Sequence, residues 1–320
     1  MNTLIKNRFI EYNFLIFPIW ILPVYFLTKS IFSSPEISLI IFLFLFGESH
    51  FASTFLFYFD KKNRVVYQNE KITYIYFPLS LCILFVLIGM INFQIAILIG
   101  AVASGIHVTR QSVGVTRLYS NYRNLFYEYL IYLSSFTFLS IGFLKFSFKK
   151  YPQINEFMQI KFGFLYENLN LLLVNNLSIL ILLVFLLSVL SLTEKTNFKK
   201  KLTNLCGILI YSPYLFLDEM YDAMIIGVGA HWSQYLLINY KVYFHNQKFN
   251  FYKKSILLFI FTYSLVMSLI IYKFHMNIDI LRNIVLIPLT IHMFHFYIDA
   301  FIWKFSNKKI RETIGERLFN

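Results

Sequence analysis

The segment Asn283–Trp303, NIVLIPLTIHMFHFYIDAFIW, decides the fold. It runs between Arg282 and Lys304, and Asp299 is its only formally charged residue. A helix rises 1.5 Å per residue, so a run of this length crosses a hydrocarbon core of about 30 Å, which takes about 20 apolar residues. Such a run reads as a transmembrane helix. Yet it carries His292, His295 and Asp299 in a place where an ionisable group is expensive.

The rest of the chain has the same character. Of 320 residues, 58% are hydrophobic, 20% aromatic and only 14% charged, with a mean hydropathy of +0.61. These values lie outside the range of an ordinary soluble domain. Long continuous apolar runs predict helices rather than the alternating strands of a membrane barrel. The fold class expected is therefore all-α: a polytopic transmembrane bundle of about ten spans, near 10–32, 36–59, 74–92, 93–118, 125–144, 170–192, 203–217, 222–240, 255–272 and 283–303. Pro213 interrupts the seventh. No internal repeat or linker divides the chain, so 1–320 reads as one integral membrane domain. No cleavable leader is expected, because Lys6 and Arg8 precede a full-length apolar run.

Basic residues stay on the cytoplasmic side of short loops. With both termini inside, 21 of the 29 Lys and Arg fall on the cytoplasmic side and seven outside, with Arg110 left within a span. That pattern predicts an N-in/C-in, multi-pass protein of a bacterial inner membrane. The net charge of +13 is then explained by a basic inner face against anionic lipid, and nucleic acid is not expected as a partner. Cys82 and Cys206 both lie in apolar runs, which argues against disulfides and against a thiolate metal site.

On this topology His50, His107, His231 and the pair His292/His295 all lie in helices running from outside to inside. His50 is 11 residues before Lys61, His107 is 10 before Arg117, His231 is 10 before Lys241 and His295 is 9 before Lys304. All therefore sit about 15 Å from the inner basic rim, in one layer. Each has polar company at helical spacing: Glu48 beside His50, Arg110 and Gln111 after His107, Gln234 and Tyr235 after His231, and Asp299 after His292 and His295. Gly227 and Gly229 leave room for a close helix approach beside His231.

Imidazoles with carboxylates and no cysteine suit non-haem iron, copper or zinc, and a histidine–carboxylate set with open positions suits iron that activates oxygen. The expected metal ligands are His50, His107, His231, His292 and His295. Glu48 and Asp299 serve as ligand or base, Gln234 and Tyr235 orient a bound oxygen or substrate carbonyl, and Arg110 pairs with a carboxylate or with substrate. A transition metal, Fe(II) foremost, O2, a lipophilic substrate and membrane lipids are the implied cofactor and partners. A single transmembrane histidine is as often an interhelical hydrogen-bond partner. The same layer would also serve a proton-coupled transporter or carrier.

Four islands, Gly47-Glu-Ser-His50, Ile106-His107, His231 and His292-Met293 leading to Asp299, resemble the membrane-bound Brp/Blh family of bacterial and archaeal β-carotene cleaving dioxygenases. That resemblance implies histidines on successive membrane helices ligating a non-haem iron, and hence an oxygenase. The family's first motif is Pro-His-Gly, where this chain has Ser49, His50 and Phe51. Its third region carries two histidines four apart, where this chain has His231 and Tyr235.

Overall fold

A computed structural model describes residues 4–32, 34–120, 123–150, 177–244, 251–276 and 278–319, with scattered residues between 151 and 176. Among the described residues there are helices and turns and no strands. Among the described residues six helices are long and apolar enough to cross a membrane: Glu36–Ser53, Ile72–Ile91, Phe93–Leu118, Leu125–Gly142, Lys253–Lys273 and Asn283–Ile302. The chain is thus a multi-pass membrane protein.

The other four of the ten expected spans do not meet this measure among the described residues, for local reasons. The 10–32 run is broken into Arg8–Ile16 and Ile21–Ile31, bent by 77°, and counts as a seventh span only if the pair is one. The 203–217 run stops at Leu209, and Pro213 starts a separate turn, Pro213–Phe216, where its missing N–H costs nothing. The first part of the 170–192 run lies outside the described residues; Leu177–Leu192 is helical. The Met220–Phe244 helix is long enough, but His231, Ser233, Gln234 and Asn239 dilute its apolar content.

The packing groups into two units. The first comprises Tyr12–Tyr25 and Gly105–His231. Its core joins Val113, Leu130, Ile131, Leu187 and Ile208. Gly207 packs against Ile131, and a Cβ on Gly227 would run into the carbonyl oxygen of Ile210. Polar ties fix the helix ends: Lys200 Nζ donates to Glu194 at 2.5 Å, the Asn204 amide donates to the other oxygen of Glu194, and Arg117 forks onto Glu128 at 2.8 and 2.6 Å. Lys145 donates to the carbonyl of Leu217 at 2.6 Å and lies 3.2 Å from Asp218.

The second unit comprises Asn2–Glu11, Phe26–Ser104 and Trp232–Asn320. The helices Phe77–Ile91 and Ile278–Ile302 pack closely through Phe85, Val285, Leu286 and Met293, with Gly89 leaving room for Leu286. The Phe251–Met276 helix packs through Ile256 and Ile260 against Ala52, Leu56 and Tyr243. The span Glu36–Ser53 is not a regular α-helix. A π turn, Leu43–Gly47, separates Pro35–Phe42 from Glu48–Ser53, and Ser49 Oγ donates to the Phe44 carbonyl at 2.8 Å. Such turns widen the helix by one residue and gather at functional positions. Gly47 ends the turn, with Leu43 and Trp232 at 3.1 and 3.4 Å from where its Cβ would stand.

The basic ends of the second unit meet. Arg317 donates to Asp60 Oδ2 at 2.7 Å and to Asn63 at 3.1 Å, Lys309 reaches Glu70 at 2.9 Å, and Lys241 donates to the carbonyl of Leu318. Residues 60–70, Lys241 and 309–318 therefore share one end of this unit.

Candidate metal centre

Three helices of the second unit build the site. Glu48–Ser53 supplies Glu48, His50 and Phe51, with Thr54 directly after it. The Met220–Phe244 helix supplies Tyr235, and Ile278–Ile302 supplies His292, His295 and Asp299. Glu48, His50 and His295 are fully buried, and Asp299 and Tyr235 are each 4% exposed. A carboxylate and two imidazoles withdrawn this far from water in a membrane helix bundle need partners that repay the lost solvation.

Those partners form one connected set. Thr54 Oγ1 lies 2.5 Å from His295 Nδ1 and 3.3 Å from the Tyr235 hydroxyl. Tyr235 donates to Asp299 Oδ1, while Asp299 Oδ2 stands 3.6 Å from His295 Nε2. The His50 ring meets the rings of His295 and Tyr235 edge-on, with centroids 4.5 and 4.4 Å away. The 3.6 Å gap between Nε2 and Oδ2 is too long for a hydrogen bond. Two donors about 2.1 Å from a common ion stand about 3 to 3.5 Å apart, so this gap accepts an ion with a shift of a few tenths of an ångström.

His292 belongs to a different pair. Its Nε2 lies 3.0 Å from Glu48 Oε1, and the Tyr263 hydroxyl approaches Glu48 Oε2 at 3.5 Å. Phe51 stacks on the His292 ring at 3.7 Å and presents an edge to His295 at 5.0 Å, so an apolar ring stands between the two histidines.

In the first unit, His107 and His231 are both buried, with ring centroids 5.4 Å apart and a nitrogen of each within 4.8 Å of the other's. Buried histidine groups in both units thus have donor atoms that a transition metal ion takes. Gln234 is buried at 3% exposure and Gln111 is half-buried, but Arg110 is exposed. Helical spacing leaves Arg110 within about 60° of His107, so it is the packing around that face, not the spacing, that leaves Arg110 at the surface. The carboxylates expected to pair with it have the other partners described above.

The sequence reading missed Thr54, Phe51, Tyr263 and the Asn239–Ser53 contact, where the Asn239 amide donates to Ser53 Oγ at 2.7 Å. Thr54 sits four residues after His50, one helical turn on, and that spacing was its only signal. Compared with family models, curated proteins and solved structures, the chain matches none.

Proposed function

We propose that this chain is a membrane metalloenzyme, an oxygenase acting on a lipophilic substrate, with a transition metal ion, Fe(II) foremost, held by His50, His295 and Asp299. The observation that carries the reading is the buried approach of His295 Nε2 and Asp299 at 3.6 Å, with His50 at 4.5 Å between ring centroids. A histidine–carboxylate set with open positions is the donor set of oxygen-activating iron, and the ion would supply that activation. Each surrounding residue has a task. With its Nδ1 proton donated to Thr54 Oγ1, His295 would direct the Nε2 lone pair at such an ion. Tyr235 fixes one oxygen of Asp299, and the other would be left for the ion. Phe51 keeps the Glu48–His292 pair apart, so Glu48 acts as a base or orienting group and not as a ligand. Gln234 is placed to orient substrate. His107 and His231 form a second candidate donor pair in the first unit. Substrate and O2 arrive from the bilayer of a bacterial inner membrane. The resemblance to the carotene dioxygenases agrees with this chemistry, and carotene itself is not implied.

A second reading rests on the hydrogen-bonded series Thr54, His295, Asp299 and Tyr235, which would relay protons in a coupled carrier. Elemental analysis of the purified full-length protein separates the two. Bound iron or another transition metal that disappears in a His50→Ala/His295→Ala variant supports the enzyme. A metal-free wild type from metal-replete cells removes it and leaves proton relay.

A further inference from the structure

A cavity of about 400 Å³, within the size range of small-molecule sites, opens at the boundary where two apolar spans end. One wall comes from the start of the Ile72–Ile91 span: Glu70, Thr73 and Tyr74. The facing wall, Lys304, Ser306 and Asn307, comes just after the end of Asn283–Ile302. Thr73 and Tyr74 belong to a π turn, Ile72–Tyr76, a second irregular turn at a polar position in an otherwise apolar helix. Glu70 is bound by Lys309 at 2.9 Å, so its charge is largely neutralised and the exposed ammonium of Lys304 leaves the pocket with about one net positive charge. Hydroxyls of Thr73 and Ser306 and the amide of Asn307 add neutral donors. Immediately beside the polar wall, Ile72 is 74% exposed, Tyr76 58% and Phe77 51%. An anion pocket with an apolar and aromatic flank at the end of two membrane spans matches an amphiphile with a singly charged head and hydrocarbon tails.

We propose that this pocket binds the phosphodiester headgroup of a glycerophospholipid, with the phosphate at Lys304 and the acyl chains along Ile72, Tyr76 and Phe77. One negative charge on the diester balances Lys304, and the hydroxyls of Thr73 and Ser306 and the amide of Asn307 can donate to its oxygens. The site needs no metal and does not depend on the oxygenase reading.

The test is native mass spectrometry of the full-length protein in detergent, with dioleoyl phosphatidylethanolamine added. One lipid should remain bound per chain, and Lys304→Glu should weaken that binding by about 25-fold, since a single basic residue near a lipid surface is worth about fivefold and charge reversal applies that factor twice. Lys62→Glu, an exposed control that does not line the pocket, should leave it unchanged. Equal retention by wild type and Lys304→Glu would overturn the proposal, as would equal retention of dioleoylglycerol, which lacks the phosphate. Displacement of the lipid by inorganic phosphate at equal concentration would also overturn it, in favour of a free anion.

Discussion

Thr54 touches both His295 and Tyr235, so exchanging its hydroxyl for a methyl disturbs the imidazole and the phenol together. Thr54→Val should leave the protein folded and lower metal affinity by about 10- to 100-fold, the usual effect of losing an outer partner of a metal ligand; chelator competition measures it. His292→Ala is the complementary case. Because Phe51 and Glu48 hold His292 apart, its loss should leave metal content at the wild-type level and depress turnover; loss of the metal would return His292 to the ligand set. The sequence could place both histidines at nearly one depth and could name Glu48, Tyr235 and Asp299. It could not separate His292 from His295, since the separation depends on a ring from another helix, 241 positions from His292. Nor could it turn Arg110 outward, because helical spacing gives a direction only to within the width of a face, and the packing around that face decides what is buried.

Helices were legible where apolar length alone defines them, as in Ile72–Ile91 or Lys253–Lys273. Where composition and length diverge, a helix and an apolar span no longer coincide. Met220–Phe244 is a full-length helix made polar by the groups it brings to the interior, and the 203–217 run is apolar but ends early. The π turn at Leu43–Gly47 left no mark in the periodicity, because an extra residue in a uniformly apolar stretch changes no pattern. Close approach is the other element-scale property. Gly227 faces a backbone carbonyl, which cannot rotate away as a side chain can. Gly227→Ala should therefore cost about 1–3 kcal/mol, the usual penalty of overpacking, seen as a lower midpoint of thermal unfolding in detergent. Gly47→Ala meets side chains at 3.1 Å or more and should cost less.

For the molecule as a whole, the charged ends carry the stability argument that the apolar spans do not. Arg317 and Asp60 are both about nine-tenths buried, and Arg317→Ala leaves that carboxylate without its cation. The expected loss is about 3–5 kcal/mol, visible as faster proteolysis of residues 304–319. The same contacts predict topology. Single cysteines at Lys62 and Lys308, introduced after replacing Cys82 and Cys206, should react with an impermeant maleimide from one and the same side of the membrane; labelling from opposite sides would contradict the Arg317–Asp60 pair. The second unit is also assembled from distant parts of the chain, and Thr54 and His295 are 241 positions apart. During synthesis His50 is therefore in the membrane long before His295 exists, with the Gly105–His231 part of the first unit made in between. The cluster is complete only in a nearly finished chain, and a metal ion held there as proposed would be captured only at that stage. Iron starvation of the producing cells should accordingly yield inserted, full-length protein lacking metal, and not truncated or arrested chains.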